Sequence, residues 1–353
     1  VRIRGISATA KGWWTMRILP FVAVALLGTA LPLAAQTISL PVPAVRTEVS
    51  PIRTQEYEAV SHPDQVDRTT QATDLRFKGD GYDRMTVPVR VSGHGPYRFL
   101  IDTGADRTAI SSDLARQLRL GDRKGTTLHS VTGESQIQTA NVPMLDMTAR
   151  QVRNLDAALL DSAHMGADGI LGLDSLRSQR VLFDFRKQTL TIVPADTHVP
   201  EDKDTIVVTA RVKNGRLILS KAYAENIPLT LVVDTGAQIS IGNMQLRQKL
   251  SHGGRVKRNG QVELQSVTGE KMMGEYTIVR ELEVGGIKLK NMPIVFADSH
   301  AFRRLNLDSK PALLLGMNAL RSFERVSIDF QRKKLKVLLP ETGALQMKAV
   351  ALR

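Results

Sequence analysis

An internal repeat constrains the fold of this chain more than any other feature of its 353 residues. Phe99-Leu100-Ile101-Asp102-Thr103-Gly104-Ala105 returns as Leu231-Val232-Val233-Asp234-Thr235-Gly236-Ala237, at an offset of 132. Ser130-Val131-Thr132-Gly133-Glu134 returns as Ser266-Val267-Thr268-Gly269-Glu270, at 136. Ile170-Leu171-Gly172-Leu173-Asp174-Ser175-Leu176 returns as Leu314-Leu315-Gly316-Met317-Asn318-Ala319-Leu320 at 144, and Val181-Leu182-Phe183-Asp184-Phe185 as Val326-Ser327-Ile328-Asp329-Phe330 at 145. Four matches in one order, with an offset that only grows, mean a duplicated unit with small loop insertions in its second copy.

Within each copy the pattern is that of short strands. Met85 to Val91 alternates apolar and polar, Tyr97 to Ile101 runs into the Asp-Thr-Gly turn, and Val181–Phe185 with Thr189–Val193 flank Arg186-Lys187-Gln188 as a hairpin. Val326–Phe330 and Leu335–Leu339 repeat that hairpin. One short helix follows the first turn, with Ser112 as its expected N-cap. Residues 83–195 and 204–340 are therefore read as two related, mostly β domains joined by a polar linker, 196–203. Residues 36–82 contain prolines and lack sustained periodicity, so they read as a flexible lead, and 341–353 as a peripheral tail.

Residues 1–35 carry Arg2, Arg4, Lys11 and Arg17, no acid, an apolar run from Ile18 and small residues up to Ala35. This is the pattern of an export signal, with an uncleaved membrane anchor as the alternative, and it implies a periplasmic or secreted protein. The formal net charge is +13, but the basic clusters at Arg255-Val256-Lys257-Arg258 and Arg332-Lys333-Lys334 lack interleaved aromatics. They read as solvated faces rather than nucleic-acid sites. The absence of cysteine excludes disulfides, thiolate metal sites and cysteine nucleophiles. The seven histidines form no paired metal motif in the sequence, and no phosphate loop, dinucleotide fingerprint or Gly-x-Ser-x-Gly elbow occurs. No metal and no cofactor are expected.

An apolar strand ending in Asp-Thr-Gly puts a carboxylate on a tight turn beside a glycine that admits close backbone approach. A lone turn of this kind is usually only a turn. Two of them, on two copies of a β unit, suggest a pseudo-twofold arrangement in which Asp102 and Asp234 meet.

These motifs resemble the retropepsin and pepsin superfamily of aspartic proteases over nearly everything between Asp83 and Pro340. The resemblance implies two retropepsin-like acid-protease β-barrel domains in one chain, with Asp102 and Asp234 catalytic. It implies that Thr103, Gly104, Thr235 and Gly236 support the catalytic turns, and that the Gly172 and Gly316 strands cross behind them. Val131-Thr132-Gly133 and Val267-Thr268-Gly269 are similar to two flap tips, as in a retroviral homodimer fused head to tail. The implied activity is endopeptidase cleavage of an extended polypeptide by a monomer with a pseudo-dimeric site.

Two carboxylates in contact cannot both ionise cheaply, so such a pair shares one proton. The ionised member then acts as general base on a water while the protonated one donates to the scissile carbonyl. Alanine rather than serine at Ala105 and Ala237 removes a hydroxyl that could stabilise the carboxylates, which predicts a milder working pH than pepsin's. The second copy has Gln238 where the first has Asp106, so the half-sites are unequal. No arginine directly follows Gly172 or Gly316, so the family's ion pair from that position to Asp106 is not expected. Asp184 and Asp329 also repeat, but in strand-turn segments, and are read as structural. Two alternatives stand beside the enzyme: a peptide-binding protein that no longer cleaves, and halves that pair with those of another chain.

Overall fold

The computed structural model describes residues 75–76, 85–121, 123–147, 150–252, 254, 256 and 260–340. The export signal, most of the lead, Arg255, Lys257 and Arg258 of the basic cluster, and the tail from 341 lie outside them. Among the described residues no helix is long and apolar enough to cross a membrane.

The molecule is mostly β, and the repeat in sequence is a repeat in space. In the first half, the strands run in the order Thr86–Val91, His94–Ile101, Gly169–Leu171, Ala109–Ser111, Arg150–Leu160, Glu134–Met147 and Lys124–His129. A further pairing of Thr86–Val91 with Glu134–Met147 curls this sheet back on itself. The second half repeats the scheme from Arg216–Ala224 and Ile227–Val233 through Ala312–Leu315, Ser240–Gly242, Ile287–Phe296 and Lys271–Val284 to Gly260–Gln265. It closes in the same way, through Arg216–Ala224 against Lys271–Val284. The alternation read at Val87, Val89 and Val91 is realised: all three are buried, with Pro88 and Arg90 exposed between them.

A third sheet ties the halves together. Its order is Leu75–Arg76, Thr189–Pro194, Gln179–Asp184, Arg325–Asp329, Lys334–Leu338 and Ile206–Thr209. The repeated hairpins thus pair with each other, antiparallel, at its centre. Leu75–Arg76 falls within the stretch read as a lead and instead adds an edge strand against Leu190 and Thr189. The short helix Ser112–Gln117 is capped by Ser111, not Ser112. Ser111 still has the extended backbone of the strand it ends, which lets its hydroxyl accept from the Leu114 N–H at 3.1 Å.

Asp184 and Asp329 join the halves by ion pairs that mirror each other in that sheet. Arg180 pairs with Asp329 at 3.1 Å, and Arg325 pairs with Asp184 at 2.9 Å. Asp329 is fully buried, while Asp184 and Arg325 keep part of their surface in solvent.

Candidate active site

Each Asp-Thr-Gly turn is held from behind by the strand that ends in a glycine. Phe99, Leu100 and Ile101 run parallel to Gly169, Ile170 and Leu171, and the Asp102 N–H donates to the Leu171 carbonyl at 3.0 Å. In the second half Thr230 to Val233 run parallel to Ala312 to Leu315, and the Asp234 N–H donates to Leu315 at 3.0 Å. Gly172 and Gly316 admit no side chain. A Cβ there would lie 2.5 Å from the Arg107 carbonyl carbon and 2.7 Å from that of Ile239.

A second brace repeats in both halves. The Thr108 hydroxyl accepts from the Gly172 N–H at 3.1 Å and donates to Asp174 at 2.6 Å. The Ser240 hydroxyl likewise accepts from Gly316 at 3.1 Å and donates to Asn318 at 2.8 Å. Asp174 and Asn318 stand at matching places in the repeat, which was the signal available for this brace.

The two turns lock to each other across the pseudo-axis. The Thr103 N–H donates to the Thr235 hydroxyl and the Thr235 N–H to the Thr103 hydroxyl, both at 3.0 Å. Each hydroxyl in turn donates to the carbonyl before the opposite aspartate, Thr103 to Val233 at 3.0 Å and Thr235 to Ile101 at 2.9 Å. Both threonines are buried with their hydrogen bonds made, so the network fixes one relative placement of the turns. Both turns belong to the same chain.

That placement brings the carboxyls of Asp102 and Asp234 together. Each is held by its own turn: Asp102 Oδ1 accepts from Gly104 at 2.7 Å and Ala105 at 3.0 Å, and Asp234 Oδ1 from Gly236 at 3.0 Å and Ala237 at 3.3 Å. The glycines make room for the opposite acid. A Cβ on Gly104 would lie 2.6 Å from Asp234 Oδ1, and one on Gly236 2.3 Å from Asp102 Cγ. Burial first, and the adjacent Asp234 second, push the Asp102 carboxyl up from 3.8 to about 7. Burial also raises Asp234, while the Arg216 guanidinium and the Gly236 and Ala237 N–H groups act in the opposite direction.

Residues 87–178 match the family model described as "gag-polyprotein putative aspartyl protease", and residues 219–319 match the one described as "Aspartyl protease". The two matches lie in tandem, each over one half and its aspartate turn. The chain belongs to the retropepsin-like aspartic proteases, with two such domains in one polypeptide. No curated relative matches it.

Two features of this retropepsin-like site lie beyond the sequence reading. Asp106 does have an arginine partner, Arg216, at 2.7 Å, contributed by the other half. The same guanidinium donates to the Gly104 carbonyl through Nη2 and, at 3.1 Å, through Nε, so it clamps the first aspartate turn from across the axis. Gln238, in place of a second acid, offers no carboxylate for a matching ion pair at the second turn. Secondly, where no metal set was expected, the fold gathers His129, Glu134 and His300.

The expected flap segments stand at the tips of hairpins over a cavity of about 590 Å³ that both aspartates line. Ser130 closes the first tip onto the Gly133 carbonyl at 2.8 Å, with its hydroxyl accepting from the Thr132 and Gly133 N–H groups. Ser266 closes the second one residue later, onto Glu270, with Gly269 at a φ of 86°. The tips touch each other: Glu270 accepts from Thr132 at 2.8 Å and Ser135 at 2.7 Å. They also touch the opposing walls. Val131 accepts from the His300 N–H at 3.1 Å and the Ser299 hydroxyl at 2.8 Å, and Gly269 lies against the His164 ring. Below the tips, Leu100, Ala109 and Ile170 on one side face Val232, Ile241 and Leu314 on the other. The exchange of Ala109 for Ile241 makes the two apolar walls unequal.

Proposed function

We propose that this chain is an aspartic endopeptidase that cleaves extended segments of other proteins, using a water activated by Asp102 and Asp234. The observation that carries the reading is a pair of adjacent carboxyls in one cavity, both shifted upward, on turns locked by Thr103 and Thr235. At weakly acidic pH the pair holds one proton. The ionised member takes a proton from the water as its oxygen bonds to the scissile carbonyl carbon, and the protonated member donates to the carbonyl oxygen. Collapse of the resulting diol breaks the C–N bond as the leaving nitrogen takes up a proton. Substrate lies extended beneath the flaps, its backbone facing hairpins and its side chains entering the unequal apolar walls. The export-signal pattern of residues 1–35 supports a substrate in the cell envelope or outside it, and the presence of both aspartate turns in one chain supports a monomeric site.

The competing reading, a binder without turnover, needs a groove and flaps but not a buried acid pair. Incubation with an unbiased peptide mixture, with products identified by mass spectrometry, separates the two: cleavage at defined sites is expected, and intact peptides retained by the protein would reject the enzyme. The rate is expected to peak on the weakly acidic side of neutrality and to fall as pH rises through about 7, where the shared proton is lost. A maximum below about pH 3 would contradict the raised carboxyls.

Arg216→Gln gives a directional check. The guanidinium favours the ionised form of both aspartates, so its removal is expected to move the alkaline limb of the kcat/KM profile to higher pH. A limb that stays in place would remove Arg216 from the electrostatics of the pair.

A further inference from the structure

The first flap meets the opposite wall through two imidazoles and a carboxylate. His129 ends the strand entering the flap tip, Glu134 begins the strand leaving it, and His300 opens the helix His300–Arg304 of the other half. His129 Nδ1 and His300 Nε2 are 3.0 Å apart, and Glu134 Oε1 lies 3.4 Å from the first and 3.7 Å from the second. A point equidistant from these three atoms lies about 2.0 Å from each, the length of a Zn–N or Zn–O bond. None of the three belongs to the aspartate pair or to its braces.

We infer that His129, Glu134 and His300 form a binding site for a divalent transition ion of the Zn²⁺ type, which staples the first flap to the opposite wall. Two histidines and one carboxylate with an open fourth position are a standard zinc donor set. Without the ion, the rings lie within 7° of parallel with facing nitrogens, the geometry of one shared proton. The cation takes the place of that N–H···N bond, displaced toward Glu134; each ring turns to aim a lone pair at it and carries its one N–H on the other nitrogen. Both imidazoles are partly shielded from solvent, with side chains 30% and 15% exposed, and Glu134 at 56% leaves the fourth position open to water.

Among the described residues this donor set occurs on the first flap alone. Gln265 holds the place of His129 in the repeat, and Glu270 is engaged with Thr132 and Ser135. On the first flap, the ion adds to a contact already made by the backbone, the His300 N–H on the Val131 carbonyl. Metal therefore holds that flap closed over the cavity and slows exchange of peptide.

The test uses the full chain with Asp102→Asn and Asp234→Asn together, so that the paired carboxyls contribute no metal ligand. Titration with Zn²⁺ against a colorimetric chelator, and with Co²⁺ followed by its visible absorption, is expected to show one saturable equivalent. Adding His129→Ala or His300→Ala to that background is expected to abolish it, with the metal-free thermal transition unchanged, whereas His164→Ala keeps it. Glu134→Gln is expected to weaken binding by at least about tenfold, as loss of a coordinating or supporting group does. No saturable equivalent in the parent, or an equivalent that survives His300→Ala, overturns the site. These are binding readouts, so they stand whether or not the chain cleaves peptides.

Discussion

Asp102→Asn and Asp234→Asn, made singly, are each expected to abolish cleavage of a peptide that the unaltered chain hydrolyses, with kcat reduced by about 10²–10⁴-fold or more. Asparagine keeps the size of the side chain and can still accept the turn N–H groups that hold Oδ1, so the turns stay closed. It cannot accept a proton from water or hold the proton destined for the carbonyl oxygen. The two effects are not additive: either change removes the shared proton, and the double variant is expected to be no worse than the single ones. Peptide affinity, measured by equilibrium binding, should change only a few-fold, because flaps and apolar walls are untouched. Loss in only one variant would mean that one carboxyl works alone.

The same substitution has a consequence for stability. Asp102 titrates at 3.8 when free and at about 7 in the folded chain, so between those values the folded state binds more protons than the unfolded one. The stabilisation is complete below about pH 4 and is lost as pH rises through 7. Asp102→Asn removes that residue's share of the proton linkage and leaves the share of Asp234, which burial also raises, so the decline in denaturation midpoint across that window should become shallower.

The largest effect on stability is expected at Asp329→Ala, about 3–5 kcal/mol in chemical denaturation, because it strands a buried cation. Arg180 is nearly as buried as its partner and donates to Asp329 through Nε and to the Ala195 carbonyl through Nη2. Asp329 accepts in addition from the Arg332 N–H at 2.7 Å. The pair sits where the two hairpins meet, so the loss loosens one half from the other. Asp184→Ala, at the mirrored position, leaves Arg325 partly in water and still beside Asp202, and is expected to cost about 1 kcal/mol or less. Equal losses at the two positions would show that burial does not set the difference. Replacing Arg180 and Asp329 together by apolar residues should recover much of the loss, since a buried pair offsets its own desolvation poorly.

The sequence by itself determined the duplication, the two Asp-Thr-Gly turns and the strands and hairpins of each copy. Each is dictated by neighbours in the chain: a turn needs its glycine, and a half-buried strand needs its alternation at Val87, Val89 and Val91. The helix cap slipped by one residue because Ser111 and Ser112 offer the same hydroxyl, and only the backbone angles chose between them. What tertiary structure alone decided are the meetings across the pseudo-axis. Arg216 reaches Asp106 over a separation of 110 residues, and His300 reaches His129 over 171. No spacing encodes such contacts, since they follow from how two packed halves face each other. The raised carboxyls have the same origin: each half carries one ordinary aspartate, and the desolvation and mutual repulsion that make them a pair arise only when the halves close.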